Sequence, residues 1–251
     1  MHPVLFRLGD FPVATYGVCF GVGLFAGLLL ATVRARRDGI PGDWAWDLGM
    51  LAMVFGVIGA RLEYVRTHPA AFLENPALVF ALRDGGLVFY GGFALTLAAY
   101  VVYARFRGLH FLDLTDLMAP SVALGHAIGR VGCIAAGCCY GRPTDGWWQL
   151  TFPGGSVAPA AVALVPTQVH EVLANLAISA TLWVVPRRFR GQRFAMLLAL
   201  YGSFRFVNEL FRSDNRGSFL GTSLSNGQGT ALLFLVAAAV VVAIGRGLPP
   251  R

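Results

Sequence analysis

Two arginines stand in a glycine-rich run inside an otherwise apolar chain: Gly129-Arg130-Val131-Gly132-Cys133-Ile134-Ala135-Ala136-Gly137-Cys138-Cys139-Tyr140-Gly141-Arg142-Pro143-Thr144. An arginine near the centre of a bilayer costs about 2.5–3.5 kcal/mol on insertion scales, so it faces a partner or a water-filled cavity rather than lipid. Glycine has no Cβ and lets backbone approach whatever the arginines hold. A planar guanidinium beside exposed backbone N–H groups suits a phosphate. The chemistry expected is recognition of a phosphate-bearing molecule within a membrane, most simply a phospholipid.

Further polar residues gather in short segments: Thr15-Tyr16-Gly17, Gly59 to Val65 with Arg61 and Glu63, and Asp84 to Gly92 with Tyr90, Gly91 and Gly92. Pro166 to Glu171 carries Gln168, His170 and Glu171, and Arg205 to Arg212 carries Glu209. Each lies near the same end of an apolar stretch, so all are expected to line one outward-opening cavity. Arg130 and Arg205 have a second reading, as members of a buried network with Glu171, Glu209 or Glu63. His170 beside Glu171 is a candidate for proton chemistry. His126 lies in an apolar run, where a satisfied core histidine is the commoner outcome.

The elements that must position these residues are membrane helices. The chain of 251 residues is 56% hydrophobic and only 13% charged, with mean hydropathy +0.63; soluble domains carry roughly 25% charge. Apolar runs of about 20 residues predict seven spans, near 14–33, 44–65, 87–104, 113–134, 169–186, 194–211 and 227–245. The fold class expected is all-α, a polytopic integral membrane bundle forming a single domain over 1–251. The fourth span holds Asp113, Asp116, Pro120 and His126 and is expected to be irregular or buried among the others. Met1 to Asp10 has no basic n-region and no small-residue cleavage site, so the first apolar segment is expected to remain as a helix.

All 20 basic residues are arginine, giving a net charge of +7. Arg34, Arg36 and Arg37 follow span one, and Arg105 and Arg107 follow span three. Arg187, Arg188, Arg190 and Arg193 join spans five and six, and Arg246 and Arg251 follow span seven. These all fall on one side, which the positive-inside rule makes cytoplasmic. The N-terminus is then periplasmic and the C-terminus cytoplasmic. Arg7, Arg61, Arg66, Arg83, Arg130, Arg142, Arg205, Arg212 and Arg216 are left over, and an anionic ligand at the outer leaflet gives several of them a purpose. Trp44, Trp46, Trp147 and Trp148 read as interfacial aromatics. No basic stripe with interleaved aromatics points to nucleic acid.

Cys133, Cys138 and Cys139 form a C-x4-C-C pattern. A structural disulfide and simple packing are the favoured readings. No C-x2-C pairs with H-x3-H to complete a zinc set, and no metal is expected. Cys19 reads as core.

The ordered set resembles the prolipoprotein diacylglyceryl transferase family, from Tyr16-Gly17 to Ser225-Asn226-Gly227-Gln228. That family carries a run like G-R-x-G-N-F-x-N-G-E-x-x-G-R-x-T. Gly129, Arg130, Gly132, Gly137, Gly141, Arg142 and Thr144 match it. The resemblance implies transfer of a diacylglyceryl group from phosphatidylglycerol to the lipobox cysteine of a prolipoprotein, releasing glycerol phosphate. It implies the periplasmic face of the bacterial inner membrane, no cofactor, and the lipid and the signal peptide as partners.

By the same resemblance Arg130 and Arg205 grip the headgroup, Tyr16 matches the tyrosine opening span one, and Gly141 is the late motif glycine. Gln168 and Glu171 match a segment H-P-x-Q-x-Y-E, in which His170 replaces tyrosine. Arg61, Gly91, Gly92 and Glu209 join the substrate set. Tyr90 stands where the family has a histidine proposed as base. Cys133 and Ala136 replace the motif asparagines, and Cys138 replaces its glutamate. The proton then goes to another group, with His170 or His126 as candidates, or no dedicated base is needed. A paralogue with another acceptor and a non-enzymatic lipid-binding protein are the alternatives.

Overall fold

The computed structural model describes residues 4–9, 11–81, 86, 88–213 and 217–248; of Leu8, Phe11, Phe89 and Tyr90 only the backbone is described. Arg83, Asp84, Gly85, Leu87, Arg216 and Arg251 lie outside the described residues. Each expected span contains a long helix: α1 (Thr15–Arg37), α2 (Asp43–Thr67), α4 (Phe89–Phe106), α5 (Phe111–Ala136), α6 (Thr167–Val184), α7 (Gln192–Glu209) and α8 (Asn226–Arg246). A short α3 (Pro69–Glu74) follows α2. Four of them, α1, α2, α5 and α8, are long and apolar enough to cross a membrane. In α1 and α8 only 22% of the most apolar window is buried. Phe20, Phe25 and Val33 of α1 and Val236, Val240 and Ile244 of α8 point outward. Water rejects such a surface and lipid accepts it.

The chain divides into two compact units, residues 1–31 with 115–251, and residues 32–114. In the smaller unit α2 and α4 meet backbone to backbone. A Cβ on Gly59 would run into the carbonyl of Gly91, and the reverse holds too; one on Gly92 would lie 2.5 Å from the Gly56 carbonyl. Small residues let helices close on each other where lipid supplies no hydrophobic force between them. At the other end of the pair, Tyr100 Oη donates to the Leu48 carbonyl at 2.9 Å and Tyr103 Oη donates to Asp47 at 2.6 Å.

In the larger unit α5 runs through the middle. Half of its apolar window is buried, in keeping with its polar content, yet it is one continuous helix despite Pro120. The fully buried Asp116 explains part of that content. Its carboxylate accepts from the backbone N–H of Gly191 (2.8 Å) and Phe194 (3.0 Å), capping α7 from a neighbouring helix. Ala119, Ala123, Ile178 and Leu182 form the core between α5 and α6, with Met196, Leu197 and Tyr201 of α7 against it.

Two pieces of extended structure were not expected. Val4–Leu8 (β1) and Phe11–Ala14 (β2) pair as an antiparallel hairpin, with Gly9 at φ 60° turning the chain. Residues 137–166 form a cap of isolated bridges around the buried Phe152, Ala158 and Leu164.

Candidate functional site: a buried arginine–glutamate ladder

The first turns of α6, the last turns of α5 and α7, and the residues just after α7 place five charged side chains in a row. Glu171 of α6 is fully buried. Its Oε1 lies 3.1 Å from Arg205 Nη1 and its Oε2 lies 3.6 Å from Arg130 Nε. One turn on along α7, Glu209 pairs with Arg205 Nη2. Arg212 Nε lies 3.9 Å from Glu209. The order is Arg130, Glu171, Arg205, Glu209, Arg212. Spacing of i,i+4 on α7 puts Arg205 and Glu209 on one face.

Alternation is what makes the burial tolerable, because a buried charge without a partner costs several kcal/mol. The ladder has three guanidinium groups and two carboxylates, so its own charge is +1. His126 does not change that sum: its Nε2 accepts from Arg130 Nε at 3.0 Å, so that nitrogen carries no proton.

Neighbours hold the ladder in place. Ser225 Oγ donates to Glu209 at 2.9 Å and also caps α8, where Gln228 closes a capping box. Gly227 leaves the room that Glu209 fills, since a Cβ there would collide with the carboxylate. The S-x-x-Q pattern of Ser225 and Gln228 is the sequence signal for this local role. Asn208 Nδ2 donates to the Thr167 carbonyl at 3.4 Å.

The glycine-rich run follows directly. α5 ends in a Schellman motif: Cys138 N–H donates to the Cys133 carbonyl at 3.2 Å and Gly137 N–H to the Ile134 carbonyl at 3.3 Å, with Gly137 at φ 70°. Cys139 also sits in the left-handed region, at φ 65°, which non-glycine residues seldom adopt. Two α6 side chains hold it there. Thr167 Oγ1 donates to the Cys139 carbonyl at 2.7 Å, and Gln168 Nε2 donates to the Cys138 carbonyl at 2.9 Å. Beyond the end of α5, hydrogen bonding to Cys133 and Cys138 holds the Cys139 thiol below the ordinary cysteine range, and Arg212 and Arg130 pull the same way. Arg130 Nη1 reaches Cys139 Sγ at 3.5 Å. Gly141 is required by packing: a Cβ would lie 2.5 Å from the Val165 carbonyl and 2.8 Å from that of Phe211.

Arg130, Gly141, Gln168, His170, Glu171, Arg205 and Glu209 all belong to the larger unit. Tyr16 joins them across Gly132, where an added Cβ would lie 3.0 Å from the Tyr16 Cα. His170 has both ring nitrogens engaged: Trp148 Nε1 donates to Nε2 at 2.9 Å, and Nδ1 lies 3.2 Å from Asn208 Oδ1. Trp148 thus has a specific partner beyond an interfacial role.

Arg61, Gly91, Gly92 and Tyr90 belong to the smaller unit. Arg61 donates to the carbonyls of Val79 (3.0 Å), Gly86 (3.0 Å), Ala81 (3.1 Å) and Leu78. Its guanidinium organises the segment before α4. Gly91 and Gly92 are the contact with α2 described above. Glu63 pairs with Arg66 at 2.6 Å. A groove of about 520 Å³ on this unit, lined by Asp47, Met50, Leu51, Val54, Phe55, Tyr103 and Arg107, contains none of the expected site residues.

Comparison with known proteins places this arrangement. The family model for prolipoprotein diacylglyceryl transferase matches residues 3–244. Relatives named phosphatidylglycerol–prolipoprotein diacylglyceryl transferase include one from Clostridium tetani, 30% identical over 89% of this chain and 91% of its own length. Another, from Stenotrophomonas maltophilia, is 32% identical over 99% and 93%. A third, from Cupriavidus metallidurans, is 35% identical over 96% and 92%. A family match over residues 3–244, with relatives of this identity and coverage, shows that the chain belongs to the prolipoprotein diacylglyceryl transferase family.

Proposed function

We propose that the protein transfers the diacylglyceryl group of phosphatidylglycerol to the lipobox cysteine of prolipoproteins. The observation that carries this is the meeting of Arg130 and Arg205 at the buried Glu171, in a cluster with more guanidinium groups than carboxylates. A phosphodiester headgroup bears one negative charge and complements it. In the reaction the cysteine sulfur forms a C–S bond to the glyceryl carbon while the C–O bond to phosphate breaks. The electron pair leaves with the oxygen, so the diester monoanion and the thiolate become a monoester dianion and a neutral thioether. Negative charge therefore builds on the phosphate, which this reading assigns to Arg130 and Arg205; fixed charges at that place lower the barrier.

The thiol proton has a simple fate. A cysteine with pKa near ~8.5 is about one-tenth thiolate at pH 7.5. Solvent takes the proton, and a dedicated base adds about tenfold at most. Tyr90 in the histidine position is then compatible with turnover. His170, with its Nε2 lone pair taken by Trp148, orients the wall of the site. Glu171 and Glu209 set the two arginines, Gln168 fixes the turn at 138–139, and Tyr16 shapes the headgroup site. Arg61, Gly91 and Gly92 order the smaller unit.

The same reading takes residues 1–251 as one functional membrane unit in the bacterial inner membrane. All seven long helices cross, the N-terminus and active site face the periplasm, and the C-terminus is cytoplasmic. Its support is the arginine clustering at Arg34–Arg37, Arg105, Arg107, Arg187–Arg193 and Arg246.

The test is turnover by purified protein with phosphatidylglycerol and a lipobox peptide, following glycerol phosphate release and peptide mass. Arg130→Ala and Arg205→Ala are expected to abolish the mass shift in folded protein; full activity in both refutes the phosphate assignment. A second reading, a paralogue with another acceptor or a lipid binder without turnover, is favoured by Cys133 and Cys138 at the motif's asparagine and glutamate positions. Phosphatidylglycerol binding with no product in a folded sample would support it.

A further inference from the structure

Cys133, Cys138 and Cys139 bring their three sulfurs within 4.8 Å of one another. The backbone produces this grouping. The Schellman motif carries Cys138 back over Cys133, five residues earlier, and the left-handed Cys139 turns the next sulfur to the same side. Thr167 and Gln168 anchor the carbonyls of Cys139 and Cys138. Arg130 Nη1 approaches two of the sulfurs, Cys139 at 3.5 Å and Cys133 at 4.0 Å. Cys133 is buried, and Cys138 and Cys139 are half-buried, which gives an ion a way in.

We propose that these three residues form a thiolate site for a thiophilic d10 cation, Zn2+ or Cu+, with Arg130 donating to the ligated sulfurs. Zinc–sulfur bonds of about 2.3 Å in tetrahedral geometry set the sulfurs about 3.8 Å apart. Sulfurs already within 4.8 Å of one another stand at most about 1 Å from that spacing. Soft thiolates select Cu+ and Zn2+ over harder ions. Three thiolates and one Zn2+ sum to −1, and the Arg130 guanidinium beside them, which also faces Glu171, offsets that charge in part. Cu+ is satisfied by three sulfurs with no further ligand. In the zinc form a fourth position stays open, as in sites that take an exogenous ligand. A guanidinium donating to the ligand sulfurs plays the part of the outer partners that orient metal ligands elsewhere. The set is made by a helix end rather than by paired C-x2-C and H-x3-H motifs. The site shares Arg130 with the proposed phosphate contact, and metal uptake is read without turnover.

Metal uptake by the whole protein tests it, purified in detergent without a polyhistidine tag and with its thiols counted as reduced. After dialysis against Zn2+, or against Cu+ under anaerobic conditions, elemental analysis is expected to give one equivalent. Co2+ substitution is expected to give thiolate charge-transfer absorption. Cys138→Ser and Cys139→Ser are expected to weaken binding by at least about 100-fold, beyond the roughly 10–100-fold that outer partners cost. Cys19→Ser retains it, and thermal unfolding of each metal-free variant checks the fold. Uptake of either ion lost in the cysteine variants supports the site, and the preferred ion shows which coordination is used. Less than about 0.1 equivalent of both ions in reduced protein, or undiminished uptake in the Cys138→Ser, Cys139→Ser double variant, overturns it.

Discussion

Replacing Glu171 by Gln asks whether charge or shape holds the ladder. Glutamine has the size of glutamate and still offers an oxygen to Arg205 Nη1. What it removes is the negative charge facing Arg205 at 3.1 Å and Arg130 at 3.6 Å. At an effective dielectric near 20 each pair is worth about 5 kcal/mol. Against their sum stands the penalty for burying the carboxylate, several kcal/mol. The difference, about 3–5 kcal/mol, is the usual cost of breaking a buried pair. At roughly 2–4 °C per kcal/mol for a chain of this size, the midpoint of thermal unfolding in detergent should fall by roughly 6–20 °C. Phosphatidylglycerol supplies a negative charge of its own. It should therefore raise the variant's midpoint by more than it raises that of the unsubstituted protein. Diacylglycerol with the same chains and no phosphate should not. An unchanged midpoint, or equal responses to both lipids, would show that Glu171 does not hold these arginines by charge.

Arg205→Lys should cut turnover by about 100-fold or more, because one ammonium cannot serve Glu171 and Glu209 from two fixed nitrogens at once; kinetics with phosphatidylglycerol and a lipobox peptide check this. Gly141→Ala should destabilise by about 1–3 kcal/mol, since its Cβ would press on the Val165 and Phe211 carbonyls. A lower unfolding midpoint with phosphatidylglycerol binding retained is the expected result. Turnover should rise about tenfold per pH unit below the thiol pKa near ~8.5 and flatten above it. The sign follows from the thiolate being the attacking form. An inflection near ~6.5 instead would assign the proton to a histidine.

The helices were legible because each is a long apolar run, and apolar runs survive without knowledge of neighbours. Their partners were less so. Glu171, Glu209 and Glu63 stood as equal candidates for Arg130 and Arg205; the structure uses the first two and gives Glu63 to Arg66. Only tertiary packing of α5, α6 and α7 makes that choice. Asp116 made the fourth span look irregular, since its role as the cap of α7 lies 75 residues away in sequence. The hairpin at Val4–Ala14 carried a signal that was passed over: two apolar runs around Gly9-Asp10, a common two-residue hairpin connection. The cap at 137–166 had little periodicity to find, because its contacts are single bridges rather than ladders. His170 looked suited to proton transfer by its neighbour Glu171, and its actual partners, Trp148 and Asn208, are remote in sequence.

The ladder also bears on how the protein is made. α6 and α7 contribute Glu171, Arg205 and Glu209, and neither is among the four helices apolar enough to cross a membrane by itself. A lone charged side chain on an apolar helix costs up to about 2.5–3.5 kcal/mol during insertion, the value at the helix centre. The two helices should therefore partition as a hairpin, with Glu171 and Arg205 neutralising each other before either reaches lipid. A nascent chain stopped after α6 would leave that helix at the insertion machinery until α7 emerges. Glycosylation sites placed beyond each helix would register this order, and stable insertion of α6 in a chain truncated before residue 192 would contradict it.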